Sequence, residues 1–249
     1  VILKLLSYNI RFGGSGREAA LAQAITAVGP DLVVFQEATS PAVIEQLSQT
    51  TAMPFWAARK DHSIGYLSRR EIAYHEWHYP AGAKHSFLEI VPAESEARIF
   101  GLHLSARFSK WDEQRRTREI ASLLKGIERH QQGFHVLVGD FNTLAPGELL
   151  DVRRMPAWIR ALIWISGRKL QRDTIQLMLS AGYMDGFRSL HPEEKGYTFP
   201  TWDPHVRLDY AFVPAPFADR LASCEVVTEP AAVVRAASDH LPLLVQMEM

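Results

Sequence analysis

The sequence predicts an α+β fold in which two β-sheets pack face to face and helices cover their outer sides. Three observations predict it. Short apolar runs of strand length alternate with stretches of helical spacing along all 249 residues. No linker, repeat or low-complexity tract interrupts them, so one domain over 1–249 is the simplest organisation, with a basic, aromatic insertion at about 144–170. Several of the apolar runs also end in an acid, an amide or an imidazole, groups that a core does not accept without a reason.

"ILKLLSYNI" reads as a buried opening strand and "RFGGSG" as a glycine-rich turn. "REAALAQAITAVG" has helical spacing and stops at Gly29-Pro30. "DLVVFQE" is a core strand, and Pro41 to Gln49 a second helix. Segments 55–58, 63–68, 71–78, 86–91 and 97–104 read as strands separated by turn residues. Ser109 to Gln131 forms one long amphipathic helix, and "FHVLVGD" returns as a strand. "QRDTIQLMLSAGYMDGF" reads as helix and then turn. "RLDYAFV", "ASCEVVTE" and "LPLLVQME" are the closing strands.

Composition narrows the function classes. Lys and Arg number 27 against 28 Asp and Glu, so the chain is no strongly basic nucleic-acid binder overall, although a local basic groove fits this balance. Cys224 is the single cysteine, which excludes a disulfide framework and suits a reducing cytoplasm. No apolar run reaches the roughly 18 residues of a membrane span. Val1 already lies in a strand-like segment, as it would after trimming, so a secreted or periplasmic location stays open beside the expected cytoplasmic one.

The polar strand ends carry the chemistry. They are Asn9, Glu37, His103, Asp140 with Asn142, Asp209, and Asp239 with His240. If the strands converge on one edge, these side chains form one cluster on a rigid scaffold. The set suits phosphate-ester hydrolysis. Glu37, Asp239 and Asn9 offer oxygen ligands to a hard cation such as Mg²⁺. An imidazole with a carboxylate behind it can move the proton of an attacking water, and Asp140 and Asn142 can align that water.

"SYN", "FQE", "GLHLS", "GDFN", "RLDY" and "SDH", in this order, resemble the endonuclease/exonuclease/phosphatase superfamily, whose members include deoxyribonuclease I-like nucleases. The resemblance runs from Ser7 to His240. It implies a four-layer αββα sandwich of two mixed sheets, and cleavage of phosphoesters dependent on Mg²⁺ or Mn²⁺. It makes Glu37 the principal metal ligand, with Asp239 at the metal site and Asn9 at the metal or phosphate site. His103 becomes the first histidine, on a phosphate oxygen or as acid, and His240 the second, oriented by Asp209. Asp140 and Asn142 position nucleophile and phosphate, with the base either Asp140 or His240. The chain departs from the AP endonucleases, which tend to carry a tyrosine-based motif where His103 stands, and this disfavours a dedicated abasic-site role. Ala38-Thr39-Ser40 after "FQE" lacks an arginine that serves groove binding in deoxyribonuclease I.

Plainer readings stand beside these. Glu37 can be a helix-start acid, His103 a satisfied core histidine, Asn9 a turn residue, and Asp209 a salt-bridge partner of Arg207. The other eight histidines (62, 75, 78, 85, 130, 135, 191 and 205) carry no motif and are assigned to surface or packing. Arg107, Lys110, Arg115, Arg116 and Arg118 follow His103 and can clamp phosphates, or form a solvated helix face. Trp202, with Tyr197 and Phe199, is expected on the rim. Arg107, Arg115 and Trp202 are the substrate-binding candidates. Val152–Arg172 holds Arg153, Arg154, Arg160, Arg168, Lys169 and Arg172, no acid, and Trp158, Ile159, Leu162, Ile163, Trp164 and Ile165. It reads as a lid packed on the sandwich, as a membrane-surface segment, or as a nucleic-acid contact. The expected substrate is a nucleic acid, with a phospholipid or small phosphoester as the alternative and a non-catalytic binding module as the alternative of another class. No stable protein partner is implied.

Overall fold

The computed structural model describes residues 1–80, 82–93, 95, 97–107, 109–148, 150–154, 157–165 and 171–249. The strands are β1 (Ile2–Asn9), β2 (Leu32–Gln36), β3 (Phe55–Ala57), β4 (Ile64–Ser68), β5 (Ile72–His78), β6 (Phe87–Pro92), β7 (Arg98–His103), β8 (His135–Asp140), β9 (Tyr183–Asp185), β10 (Asp209–Pro214), β11 (Leu221–Val226) and β12 (Leu243–Glu248). The α-helices are α1 (Glu18–Val28), α2 (Pro41–Thr51), α3 (Lys110–Gly126), α4 (Ala157–Ile165), α5 (Asp173–Ser180), α6 (Gly186–Leu190) and α7 (Ala231–Ala237).

Two sheets of six strands form, in the orders β11-β12-β1-β2-β4-β3 and β5-β6-β7-β8-β10-β9. Each is mixed. β1 and β2 run parallel near the centre of the first, β7 and β8 near the centre of the second, and the other pairs are antiparallel.

The central strands are apolar throughout because both of their faces are covered. In β2, Leu32 and Val34 face the other sheet while Val33 and Phe35 face helices. In β8, Val136 and Val138 face the other sheet and Leu137 faces helices. Leu21 and Ile25 of α1, Ile44 and Leu47 of α2 and Ala237 of α7 cover the first sheet. Ile120 and Leu123 of α3 with Ile175 and Met178 of α5 cover the second. The result is the expected αββα layering.

Local chemistry sets the ends of elements. α1 stops at Gly29, which takes the left-handed conformation (φ 62°). Ser109 caps α3 by accepting from the Asp112 amide, and Asp112 and Glu113 complement its N-terminal dipole. The long helix is shorter than its spacing suggested: it ends at Gly126, buried Ile127 turns inward, and a 3₁₀ turn over Glu128–His130 follows. Where helix and then turn was expected, α5 leads into the three-residue β9 and the five-residue α6. Neither is long enough to show a period.

Candidate active site

The two parallel strand pairs deliver their carboxyl ends to one edge. In the first sheet Asn9 lies beside Gln36, with Glu37 next in sequence. In the second, His103 lies beside Asp140, and Asp140 lies beside Asp209. Three adjacent strands therefore hold an imidazole and two carboxylates in one cross-strand row. The close approach of β7 and β8 that creates this row needs Gly139. Its φ is 150°, and a Cβ there would sit 1.9 Å from the Leu102 carbonyl oxygen.

Asp140 is the hub. Its Oδ1 accepts from the Asn142 amide at 2.8 Å, and its Oδ2 accepts from Asn9 Nδ2 at 3.0 Å. The same Oδ2 is 3.7 Å from His103 Nε2 and 3.8 Å from His240 Nε2, beyond direct hydrogen-bond reach. Burial pushes the Asp140 carboxyl above its ordinary range; His240 pulls it down and Asp209 pushes it further up. Asn142 takes a left-handed conformation (φ 52°) that sends its Nδ2 to the Leu104 carbonyl at 3.0 Å.

His240 arrives from the turn before β12. That turn is sewn to β1, because Ser238 Oγ donates to the Asn9 carbonyl at 2.6 Å. His240 Nδ1–H donates to Asp209 Oδ2 at 2.9 Å. Burial opposes charge on this ring, but Asp209 and Asp140 outweigh it and push His240 up to about 10. His240 is thus favoured in its protonated form, held between two carboxylates. Asp140, Asp209 and His240 lie close enough for a shared metal, and the Asp209–His240 hydrogen bond equally fits them to proton handling.

His103 is tuned the opposite way. Burial, with His85 and His240 nearby, depresses it to about 3, so it stays neutral. Ser63 Oγ accepts the Glu37 amide at 3.3 Å and also touches His103 Nδ1. With the amide donating in, the hydroxyl proton is free to point at Nδ1, the arrangement that would put the His103 proton on Nε2, facing Asp140. The His85 ring stacks on His103 at 5.1 Å and 7°. Sequence reasoning missed Ser63, and it assigned His85 to surface or packing; their roles come from proximity across the fold.

Glu37 follows β2 in a left-handed conformation (φ 59°), a strained choice for a non-glycine residue. The "RFGG" turn secures it: the Phe12 amide donates to Glu37 Oε2 at 2.6 Å and the Gly13 amide to its carbonyl at 2.9 Å. Oε1 is left 3.4 Å from Asn9 Nδ2. Asp239 Oδ2 lies 3.3 Å from Arg11 Nε, so a cationic group already faces this carboxylate. The oxygen donors of Glu37, Asn9 and Asp239 fit a hard divalent cation by donor type and charge.

The outer candidates divide. Phe199 packs 4.9 Å from the His240 ring and Trp202, exposed, edges onto Phe199 at 6.4 Å, which places both on the rim. The Arg107 and Arg115 side chains are exposed. Arg116 is no phosphate clamp: it is fully buried, bonds Glu113 and donates to the Ser105 and Arg107 carbonyls, which orders the loop after His103. Arg207 turns from Asp209 to Asp185 and Glu148. Arg168 and Lys169, and the side chains of Ile159, Leu162 and Ile163, lie outside the described residues.

The sequence profile of the Endonuclease/Exonuclease/phosphatase family matches residues 6–240. No curated protein sequence matches. Among solved structures, a 3′-5′ exonuclease (NExo) from Neisseria meningitidis is similar, with TM-score 0.71, 20% identity, 99% of this chain and 100% of that chain covered. An AP endonuclease from Archaeoglobus fulgidus has TM-score 0.71 at 17% identity, covering 99% and 100%. A humanized TDP2 from D. rerio has TM-score 0.68 at 18% identity, covering 100% and 99%. At these identities the likeness is one of fold.

Proposed function

Since this chain belongs to the Endonuclease/Exonuclease/phosphatase family and is a phosphoester hydrolase by that membership, we propose that it is a phosphodiesterase acting on nucleic acid by in-line attack of water. The observation that carries the reading is the His103–Asp140–Asp209 row, with His240 behind it and Asn9 and Glu37 beside it. Asp140, raised by burial and oriented by Asn9 and Asn142, takes the proton of the attacking water. His240, already protonated and fixed by Asp209, donates from Nε2 to the phosphoryl group. His103, neutral, offers its Nε2–H to a second phosphoryl oxygen. Glu37, Asn9 and Asp239 would hold Mg²⁺ or Mn²⁺, which would supply charge neutralisation to the phosphoryl group. A nucleic-acid substrate is supported by the fold shared with an exonuclease, an AP endonuclease and a 3′ phosphatase bound to a product DNA hairpin.

The test is Mg²⁺- or Mn²⁺-dependent hydrolysis of plasmid, single-stranded DNA, RNA, a 3′-phosphorylated oligonucleotide, sphingomyelin and inositol phosphates. Cleavage of a nucleic acid is expected, lost by about 10²-fold or more in Glu37→Ala and in His240→Ala. Full activity in both variants would sink the site assignment. Turnover of sphingomyelin or inositol phosphates alone would sink the nucleic-acid substrate, and no metal-dependent turnover at all would favour a binding module.

A further inference from the structure

α4 is the anomaly of the surface. At 3.6 residues per turn, Ala157, Trp158, Ala161, Trp164 and Ile165 share an arc of about 120°, and all five are exposed. Trp158 is 56% exposed, and Trp164 and Ile165 are each 62% exposed. The sequence is apolar on the opposite side as well, at Ile159, Leu162 and Ile163, so Arg160 is the only charged residue of the helix. A helix packed as a lid would turn one apolar face inward and show water a polar one. This helix shows water tryptophan and isoleucine.

The flanks say what the face is for. Val152–Arg172 carries six basic residues and no acid, in a chain whose two signs balance only overall, at 27 Lys and Arg against 28 Asp and Glu. Arg153 and Arg154 are exposed at the start of this segment, in ion pairs with Asp151 and Asp203 that are themselves exposed. Indole rings favour the boundary between water and hydrocarbon. Aliphatic Ile165 and Ala161 gain nothing on a nucleic-acid base stack, but they gain on acyl chains. A second copy fits poorly: the helix is about 13 Å long, too small for the roughly 800 Å² per partner that a stable dimer interface buries.

We infer that α4 is a docking element for an anionic lipid bilayer, lying in the interface with Trp158, Ala161, Trp164 and Ile165 downward and Arg153 and Arg154 of its N-terminal flank on the headgroups. The docking bears on the site. Arg154 Nε donates to Asp203 Oδ2 at 3.2 Å, which ties the segment to the loop of exposed Trp202, and Trp202 edges onto Phe199 beside His240. Docking through α4 thus brings the rim of the site to the membrane surface.

The experiment is sedimentation with vesicles of phosphatidylcholine alone or mixed with phosphatidylglycerol, for the wild type and for Trp158→Ala/Trp164→Ala. Hydrolysis of a soluble phosphodiester reports that the variant is folded. Expected is partition onto the mixed vesicles only, reduced by added salt, and at least tenfold weaker in the variant. Quenching of wild-type tryptophan fluorescence by brominated lipid gives an independent reading, and it is expected to be strong. Absence of partition or quenching in the wild type overturns the proposal. So does equal partition by the variant, binding of single-stranded DNA but not vesicles through these tryptophans, or a solution dimer that the variant dissolves.

Discussion

Replacing Asp209 by Asn tests the central claim about His240. The substitution keeps shape and removes charge. Asp209 Oδ2 and His240 Nδ1 are 2.9 Å apart, and the two residues are 2% and 6% exposed, so solvent screens little of the interaction. A hydrogen bond between charged partners contributes about 1.5–3 kcal/mol, and at 1.36 kcal/mol per unit this lowers the His240 pKa by roughly one to two units. The folded value of about 10 lies above the ordinary 6.5. The stability that His240 contributes is therefore complete below pH 6.5 and is lost as pH rises through the folded value. In Asp209→Asn that loss comes at lower pH. Urea midpoints of wild type and variant should differ most near neutral pH and converge in alkali. Near neutral pH the ring stays protonated in the variant, so activity there should fall only through its lost orientation, and the alkaline limb of the pH–rate curve should move down by roughly one to two units. An active variant with unmoved alkaline limb and unmoved stability profile would refute the Asp209–His240 relay.

Two further predictions follow from the geometry. Gly139→Ala drives a Cβ into the Leu102 carbonyl at 1.9 Å and should cost about 3 kcal/mol or more; an unchanged thermal midpoint would show that β7 and β8 need no glycine there. Ser63→Ala releases His103 Nδ1, so kcat should fall by roughly tenfold or more with KM little changed, and Ser63→Thr should restore much of the loss. Nitrogen NMR of wild-type His103 should find the proton on Nε2, and a proton on Nδ1 would defeat this assignment.

The sequence singled out the candidate site residues because each breaks a rule. A carboxylate or imidazole closing an apolar run such as "HVLVGD" or "IFGLH" is costly unless it is used, and six such breaks in family order are hard to read otherwise. The alternating faces of β2 and β8 were equally visible as continuous apolar runs. Ser63 and His85 were not, because a serine and a motif-free histidine look ordinary until the fold sets them against His103. Arg116 misled for the reverse reason. An arginine on a helix reads as solvated, and only the structure shows it buried against Glu113 and two carbonyls. β9, with three residues, lies below the length at which any period can be seen.

The strand that follows His240 pairs along its whole length with the first, from Ile2 opposite Glu248 to Ser7 opposite Leu243. β1 waits some 230 positions for that neighbour, the kind of distant pairing that slows folding. During synthesis, at roughly 5–20 residues per second, the growing chain carries His103, Asp140 and Asp209 but has not yet received the imidazole that completes them. On the proposed mechanism, hydrolytic power is thereby withheld from the nascent polypeptide, and a chain broken off before β12 would lose a central strand of its first sheet together with the ring that mechanism needs.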